Sequence, residues 1–180
     1  MPSEPAVTDI EQLKDHPALS ILLGVMRDAV KEAKWDRDEL TITVARESVR
    51  DACEALKPEF NYFSDLTCVD WYPSEPRFHV VYHLLSHKRK ERVRLKVKLS
   101  GDDATVESIY GVWPSCDFFE REVFDLFGVR FLGHPNLRRI MMPEDWEGHP
   151  LRKDVPLGGE EVAFTFNQDE IYAHKSFAKE

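Results

Sequence analysis

Two groups of side chains have the types and spacing for chemistry. Three histidines, His79, His83 and His87, recur every four residues, and three carboxylates, Glu120, Glu122 and Asp125, crowd around Arg121. The histidines could share a metal only on a helix. The run HVVYHLL reads as a strand, where residues four apart stand about 13 Å from each other. One ion does not bridge that. The carboxylates could serve acid–base chemistry, but beside an arginine on one short helix ion pairing is their commoner role. Cys53, Cys68 and Cys116 are odd in number and form no CxxC. A cluster or structural zinc held by this chain alone is therefore not expected, whereas free buried thiols in a reducing compartment are. Gly158-Gly159 lacks the strand–loop–helix setting and the Lys-Ser/Thr of a phosphate loop, and no Gly-x-Ser-x-Gly elbow occurs.

A basic stripe, Lys88, Arg89, Lys90, Arg92, Arg94, Lys96 and Lys98, could meet nucleic acid or anionic lipid. The formal net charge of -9 argues against a nucleic-acid binder, which needs a basic surface to neutralise phosphates. The stripe reads better as the solvated face of a strand, with lysines discouraging edge pairing; docking onto an acidic partner stays open.

The elements that position these groups follow from periodicity. With 42% hydrophobic and 32% charged residues, the chain has enough apolar material for a real core. No apolar run approaches the ~20 residues of a membrane span. The start, MPSEPAVTDIEQ, has no signal-peptide character, so the chain is expected to stay where it is made. Residues 1–14 read as a flexible lead-in. Pro17 opens a helix in which Leu19, Leu22, Leu23, Met26 and Val30 recur at helical spacing. Leu40, Ile42 and Val44 alternate as a half-buried strand, Glu47 to Lys57 is a short helix stopped by Pro58, and Phe60 to Trp71 is a second strand. A hairpin follows: Phe78 to Leu85, a polar SHKRKE turn, then Val93, Leu95, Val97 and Leu99 alternating with basic residues. After the GDDA turn a short strand runs from Thr105 to Ile109. Helices on one face of a mixed sheet, an α+β fold over residues 15–131, is the expected architecture.

The carboxylate helix is read from Ser115 to Phe127, with Ser115 as N-cap and Gly128 as left-handed C-terminal cap. Phe119, Val123, Leu126 and Phe127 form its core stripe, while Phe118 and Phe124 lie off it, so part of this surface is expected to meet a partner. Arg121 and Asp125 are spaced as i, i+4 partners, and Arg138 and Arg139 are expected to pair with Glu120, Glu122 or Asp125 as the chain doubles back. Residues 132–180, punctuated by Pro135, Pro143, Pro150 and Pro156, carry Trp146, Phe164, Phe166, Tyr172 and Phe177. Disordered tails are poor in aromatics, so this reads as an extended arm docking on another protein.

The run Glu120 to Phe127, with His134, Arg138, Arg139, Ile140 and Met141, and then PEDWEGHPLRKD from Pro143 to Asp154, resembles the C subunit of respiratory complex I, a peripheral-arm family. Trp113-Pro114 fits the same pattern; the diagnostic stretch is residues 112–157, about a quarter of the chain. The resemblance implies a non-redox scaffold subunit of a proton-translocating NADH:quinone oxidoreductase, with no catalytic centre of its own. It also implies that FMN and Fe–S clusters lie in partner subunits. The chief partner implied is the quinone-site (D) subunit, with neighbouring cluster-bearing subunits, and membrane association is only indirect, at the cytoplasmic face. The chain looks like the form not fused to that quinone-site partner. Glu120, Arg121, Glu122, Asp125, Arg138 and Arg139 are then expected to position helix and arm, and His134 and Trp146 belong to the same motif. His149, Arg152 and Lys153 are expected to make polar contacts to a partner. The alternatives are the equivalent subunit of a membrane-bound hydrogenase, formate-linked or ferredoxin-fed assembly, a freestanding enzyme using His134 or His149, and a nucleic-acid module.

Overall fold

The computed structural model describes residues 6–155 together with residues 169, 170 and 173. A five-stranded mixed sheet is built from β1 (Val30–Asp36), β2 (Glu39–Val44), β3 (Tyr62–Asp70), β4 (Phe78–Ser86) and β5 (Glu91–Leu99), in the spatial order β1-β2-β5-β4-β3. Neighbours are antiparallel except β2 and β5, which run parallel and align Leu40 with Val93 and Ile42 with Leu95. The tight β1–β2 turn places Arg37 and Asp38 at φ 53° and 61°, the pair of left-handed residues that lets a two-residue turn follow strand twist.

One face of this sheet is the core. Leu40, Ile42, Val80, Tyr82, Leu84, Leu95 and Val97 are sealed from solvent on it. Four helices, α1 (Ile10–Leu13), α2 (Pro17–Met26), α3 (Val49–Leu56) and α4 (Asp117–Phe127), with short 3-10 turns, are the helical elements of residues 6–155. Leu19 and Leu22 of α2 and Val49, Ala52 and Leu56 of α3 join the strand residues in one apolar cluster. Phe63 of β3 meets Phe119 of α4 edge-on at 5.6 Å, so α4 covers the same face near the β3 edge. A second, two-stranded parallel sheet pairs β6 (Thr105–Glu107) with β7 (Arg130–Leu132) and brings the exit of α4 back beside residues 104–108. The α+β class and its one-sided helical cover are as expected.

Four local expectations are corrected. Val30 begins an edge strand rather than ending a helix; the register shift between Val30 and Glu32 breaks the alternation that would have signalled β1. The lead-in is tied down from Val7, which bridges Trp35, and Ile10 and Leu13 pack against the core. Ser115 does not cap α4: a 3-10 turn over Pro114–Cys116 precedes it, and Cys116 occupies the cap position without a side-chain bond. Arg121 and Asp125 are not ion-pair partners, because each side chain binds the returning chain instead. Gly128 does cap α4 with φ 79°, a conformation that costs glycine little.

Candidate functional site

Helix α4 carries three charged residues inside the protein: Glu120 and Asp125 are fully buried and Arg121 nearly so. Each has a distinct set of partners. A buried charge left alone would cost several kcal/mol, so these partners decide what the segment does.

Asp125 faces the returning chain. Its Oδ2 accepts the backbone N–H groups of Ile140, Met141 and Met142 at 2.9, 2.7 and 2.8 Å, and its Oδ1 accepts Arg139 Nη1 at 2.7 Å. Burial alone would raise its pKa, but the three N–H groups and Arg139 outweigh that and hold the carboxyl below the usual range. The backbone carbonyl of Asp125 is used too, accepting Nδ1–H of His149 at 2.9 Å; because a carbonyl only accepts, the His149 proton sits on Nδ1. Arg139 also donates to the Gly148 carbonyl at 2.9 Å. One aspartate thus organises residues 139–149.

Arg121 turns away from Asp125 and donates to the carbonyls of Arg138 and Arg139 at 3.2 and 3.3 Å, its guanidinium 5.7 Å from the Phe118 ring centre. Both departures from helical pairing have the same physical origin. Asp125 needs donors that only a loop can supply, and Arg121 finds acceptors at no further desolvation cost. Arg138 contributes its carbonyl to this contact, and its own residue surface is exposed, as is Glu122.

Glu120 faces the second sheet. Its carboxyl accepts Ser108 Oγ at 2.6 Å and the Ile109 N–H at 2.8 Å. Burial dominates and pushes its pKa up despite these bonds. The fully buried His134 ring lies alongside, Nε2 3.1 Å from Asp117 Oδ1 and 3.9 Å from Glu120 Oε2. Its Nδ1 accepts the Asn136 N–H, which places the neutral-ring proton on Nε2, toward the two carboxyls. The approach to Asp117 lacks hydrogen-bond alignment, and the contact is electrostatic.

Further along, the arm is pinned to the end of β3. Arg152 donates Nε to the Phe127 carbonyl at 2.6 Å and lies 5.3 Å from the Phe78 ring centre. The Lys153 N–H reaches Asp70 Oδ2 at 2.8 Å while the lysine residue stays exposed. Arg77 then bridges two carboxylates, gripping Asp70 at 2.9 and 2.8 Å and Asp154 at 3.0 and 2.8 Å. Burial raises Asp70, but Arg77 and the N–H groups of Lys153 and Tyr72 bring it down to about 2. Trp146 is half-buried within the same segment.

The site therefore brings together Glu120, Arg121, Asp125, His134, Arg139, His149 and Arg152, and leaves Glu122 and the Arg138 side chain outside. Residues 134–154, read from sequence as docking on a partner, are held against their own domain. His149 and Arg152, expected to make polar contacts to a partner, bind the Asp125 and Phe127 carbonyls of α4. Phe164, Phe166, Tyr172 and Phe177 lie outside the described residues. Sequence reasoning missed Asp70, Arg77, Asp154, Ser108 and Asp117. Asp70 could have been found: it falls on the inward period of Phe63, Leu66 and Cys68 after one bulge, and an inward carboxylate demands a cation. Elsewhere, burial raises all three thiols, Cys68 to about 12, as for inert core cysteines. Among the described residues no three His, Cys, Asp or Glu are grouped to hold a metal ion, and no helix is long and apolar enough to cross a membrane.

Residues 42–161 match the family described as respiratory-chain NADH dehydrogenase, 30 Kd subunit. The chain is 51% identical to the C subunit of NADH-quinone oxidoreductase from Roseiflexus sp. (strain RS-1), over 93% of this chain and 99% of that one. It is 50% identical to the Geobacter sulfurreducens protein of the same name, over 82% and 88%. Among solved structures it is similar to the trypsin-resistant fragment of Nqo5, 31% identical, with a TM-score of 0.51 over 55% of this chain and 83% of that one. A chain of the membrane-bound sulfane sulfur reductase, an archaeal respiratory membrane complex, shares the fold with a TM-score of 0.67 over 87% and 88%, at 24% identity. That likeness is one of fold alone, and the related-assembly alternative is not favoured. With the family model matched over residues 42–161 and the Roseiflexus C subunit matched over 99% of its length, the chain belongs to the 30 kDa subunit family of the respiratory-chain NADH dehydrogenase, the family of the NADH-quinone oxidoreductase C subunits.

Proposed function

We propose that this chain is a scaffold subunit of a proton-translocating NADH:quinone oxidoreductase, with no redox centre of its own. It supports electron transfer from NADH, through FMN and Fe–S clusters held by other subunits, to quinone. Its chief neighbour is the quinone-site subunit, and it sits peripherally at the cytoplasmic face of the membrane. The observation that carries this reading is the saturation of Asp125: four donors consume its carboxylate and a fifth takes its carbonyl. A group so fully bonded does not exchange protons with a substrate; it fixes geometry. Electron transfer between neighbouring subunits depends on such fixed geometry, and a rigid supporting shell supplies it.

The test is co-purification. With a tag at the C-terminus and gentle solubilisation of native membranes, mass spectrometry is expected to find NADH-oxidising, cluster-bearing and proton-channel subunits. Cross-linking is expected to join this chain to the quinone-site partner. Recovery alone, from both this form and an N-terminally tagged control, contradicts the reading.

A further inference from the structure

Residues 138–152 of the arm lie as a strap against the last turn of α4. The Asp125 carboxylate holds the N–H groups of Ile140, Met141 and Met142, and the Leu126 carbonyl accepts that of Leu151 at 3.0 Å. The Asp70–Arg77–Asp154 clamp anchors the far end. Burial raises Asp70 and Asp125, but their donors outweigh it, and Arg77 lowers Asp154, so all three carboxyls lie below the usual range. Guanidinium groups keep their charge throughout. None of these ties responds to mild acid. Among the described residues that fasten the strap, His149 alone has a group that changes charge between about pH 5 and 7.

Its surroundings suit only the neutral ring. The Nδ1–H is spent on the Asp125 carbonyl, and the Phe124 ring stands edge-on at 6.3 Å. The other nitrogen looks onto Gly128. A Cβ added there would touch both Nε2 of His149 and Nη2 of Arg152, so these two nitrogens are close neighbours. A proton on Nε2 would therefore bring a second cation and a second donor up to a guanidinium. Burial comes first in opposing that proton, and the charges of Arg152 and Arg139 follow. The Asp125 carboxylate of α4 acts the other way, but Arg139 and three N–H groups already engage it. The balance holds the ring below the ordinary histidine value.

We propose that His149 is an acid-sensitive catch: neutral, it fastens the strap to α4, and protonated, it lets the strap swing away while the Arg77 clamp keeps it tethered. The sign follows from linkage. The closed strap takes up the proton less readily than the open one, so closure is complete above the ordinary value of 6.5 and weakens as pH falls below it. This regulatory role goes beyond the scaffold reading and does not depend on it.

The experiment is amide hydrogen exchange of the full chain, followed residue by residue by NMR and corrected for the intrinsic effect of pH. One linked proton permits at most about tenfold per pH unit, and between about pH 7.5 and 5.5 the protection of Ile140, Met141, Met142 and Leu151 is expected to fall about threefold or more. Val80 and Tyr82, sealed in β4, are expected to hold theirs. His149→Asn keeps an amide donor near the Nδ1 position and cannot titrate, so its strap is expected to exchange independently of pH. The His149 Cε1–H shift, recorded in the wild type, is expected to titrate with the same midpoint as the loosening, and decides the matter if the variant does not fold. A strap that stays protected while the ring titrates overturns the proposal. Loosening that persists in His149→Asn also overturns it and moves the effect to His134 or Glu120, and loss of β4 protection in step replaces a local catch with general acid unfolding.

Discussion

Asp125 and Arg139, fourteen residues apart in sequence, meet at 2.7 Å between Oδ1 and Nη1, while the other Asp125 oxygen closes on the three N–H groups that follow Arg139. The arrangement turns one side chain of a helix into an anchor for a loop. Asp125→Asn keeps the size but presents an amide NH2 either to Arg139 or to the backbone donors. We expect a loss of about 3–5 kcal/mol, the range for breaking a buried charged pair. Thermal unfolding of the purified chain measures it, and limited proteolysis within residues 134–155 is expected to speed up in parallel.

Gly128 closes α4 with φ 79°, and a Cβ there would run into the Arg152 guanidinium and the His149 ring. Both side chains are committed, Arg152 to the Phe127 carbonyl and His149 to that of Asp125. Gly128→Ala is therefore expected to cost more than the ~1–2 kcal/mol of the left-handed conformation alone. Denaturant unfolding checks the magnitude. A cost below about 1 kcal/mol means that the arm yields easily.

Much of this fold was legible in the residues. Alternation in Val93 to Leu99 and in Phe78 to Leu85 marked the central hairpin, and the Glu120–Asp125 run marked the site. What escaped was set by contacts distant in sequence. β1 was hidden because its bulge and its edge position leave charged residues where alternation would place apolar ones. The Arg77 clamp was hidden because its partners, Asp70 and Asp154, lie 7 and 77 residues away. Arg121 was paired with the wrong group, since helical spacing says nothing of carbonyls arriving from a returning loop.

Asp70 gives a pH prediction with a definite sign. Its pKa falls from an ordinary 3.8 to about 2 on folding, so its contribution is fully present above 3.8 and disappears as pH drops through about 2. Acid titration of wild type against Asp70→Asn is expected to show the difference between them shrinking over that window. Removing the other side of the clamp, Arg77→Met, leaves the buried Asp70 without its cation and is expected to cost about 3 kcal/mol or more at neutral pH.

Glu120 has the opposite sign. Its raised pKa means that the folded state holds the proton longer, so ionisation penalises folding as pH rises above 4.5. Glu120→Gln removes that penalty. Its stability relative to wild type is expected to improve from pH 4.5 upward, followed by chemical denaturation at several pH values. A difference independent of pH means that the carboxyl is not held protonated.

The scaffold role is tested most directly in membranes from a strain lacking this gene, complemented with wild type or Asp125→Asn. Two quantities are compared: abundance of the other peripheral-arm subunits on the membrane, and NADH-to-quinone turnover. If the chain acts by holding its neighbours in place, both fall together, and turnover per assembled complex stays constant. Turnover lost from a fully assembled complex would contradict this, and would assign the chain a direct part in the chemistry.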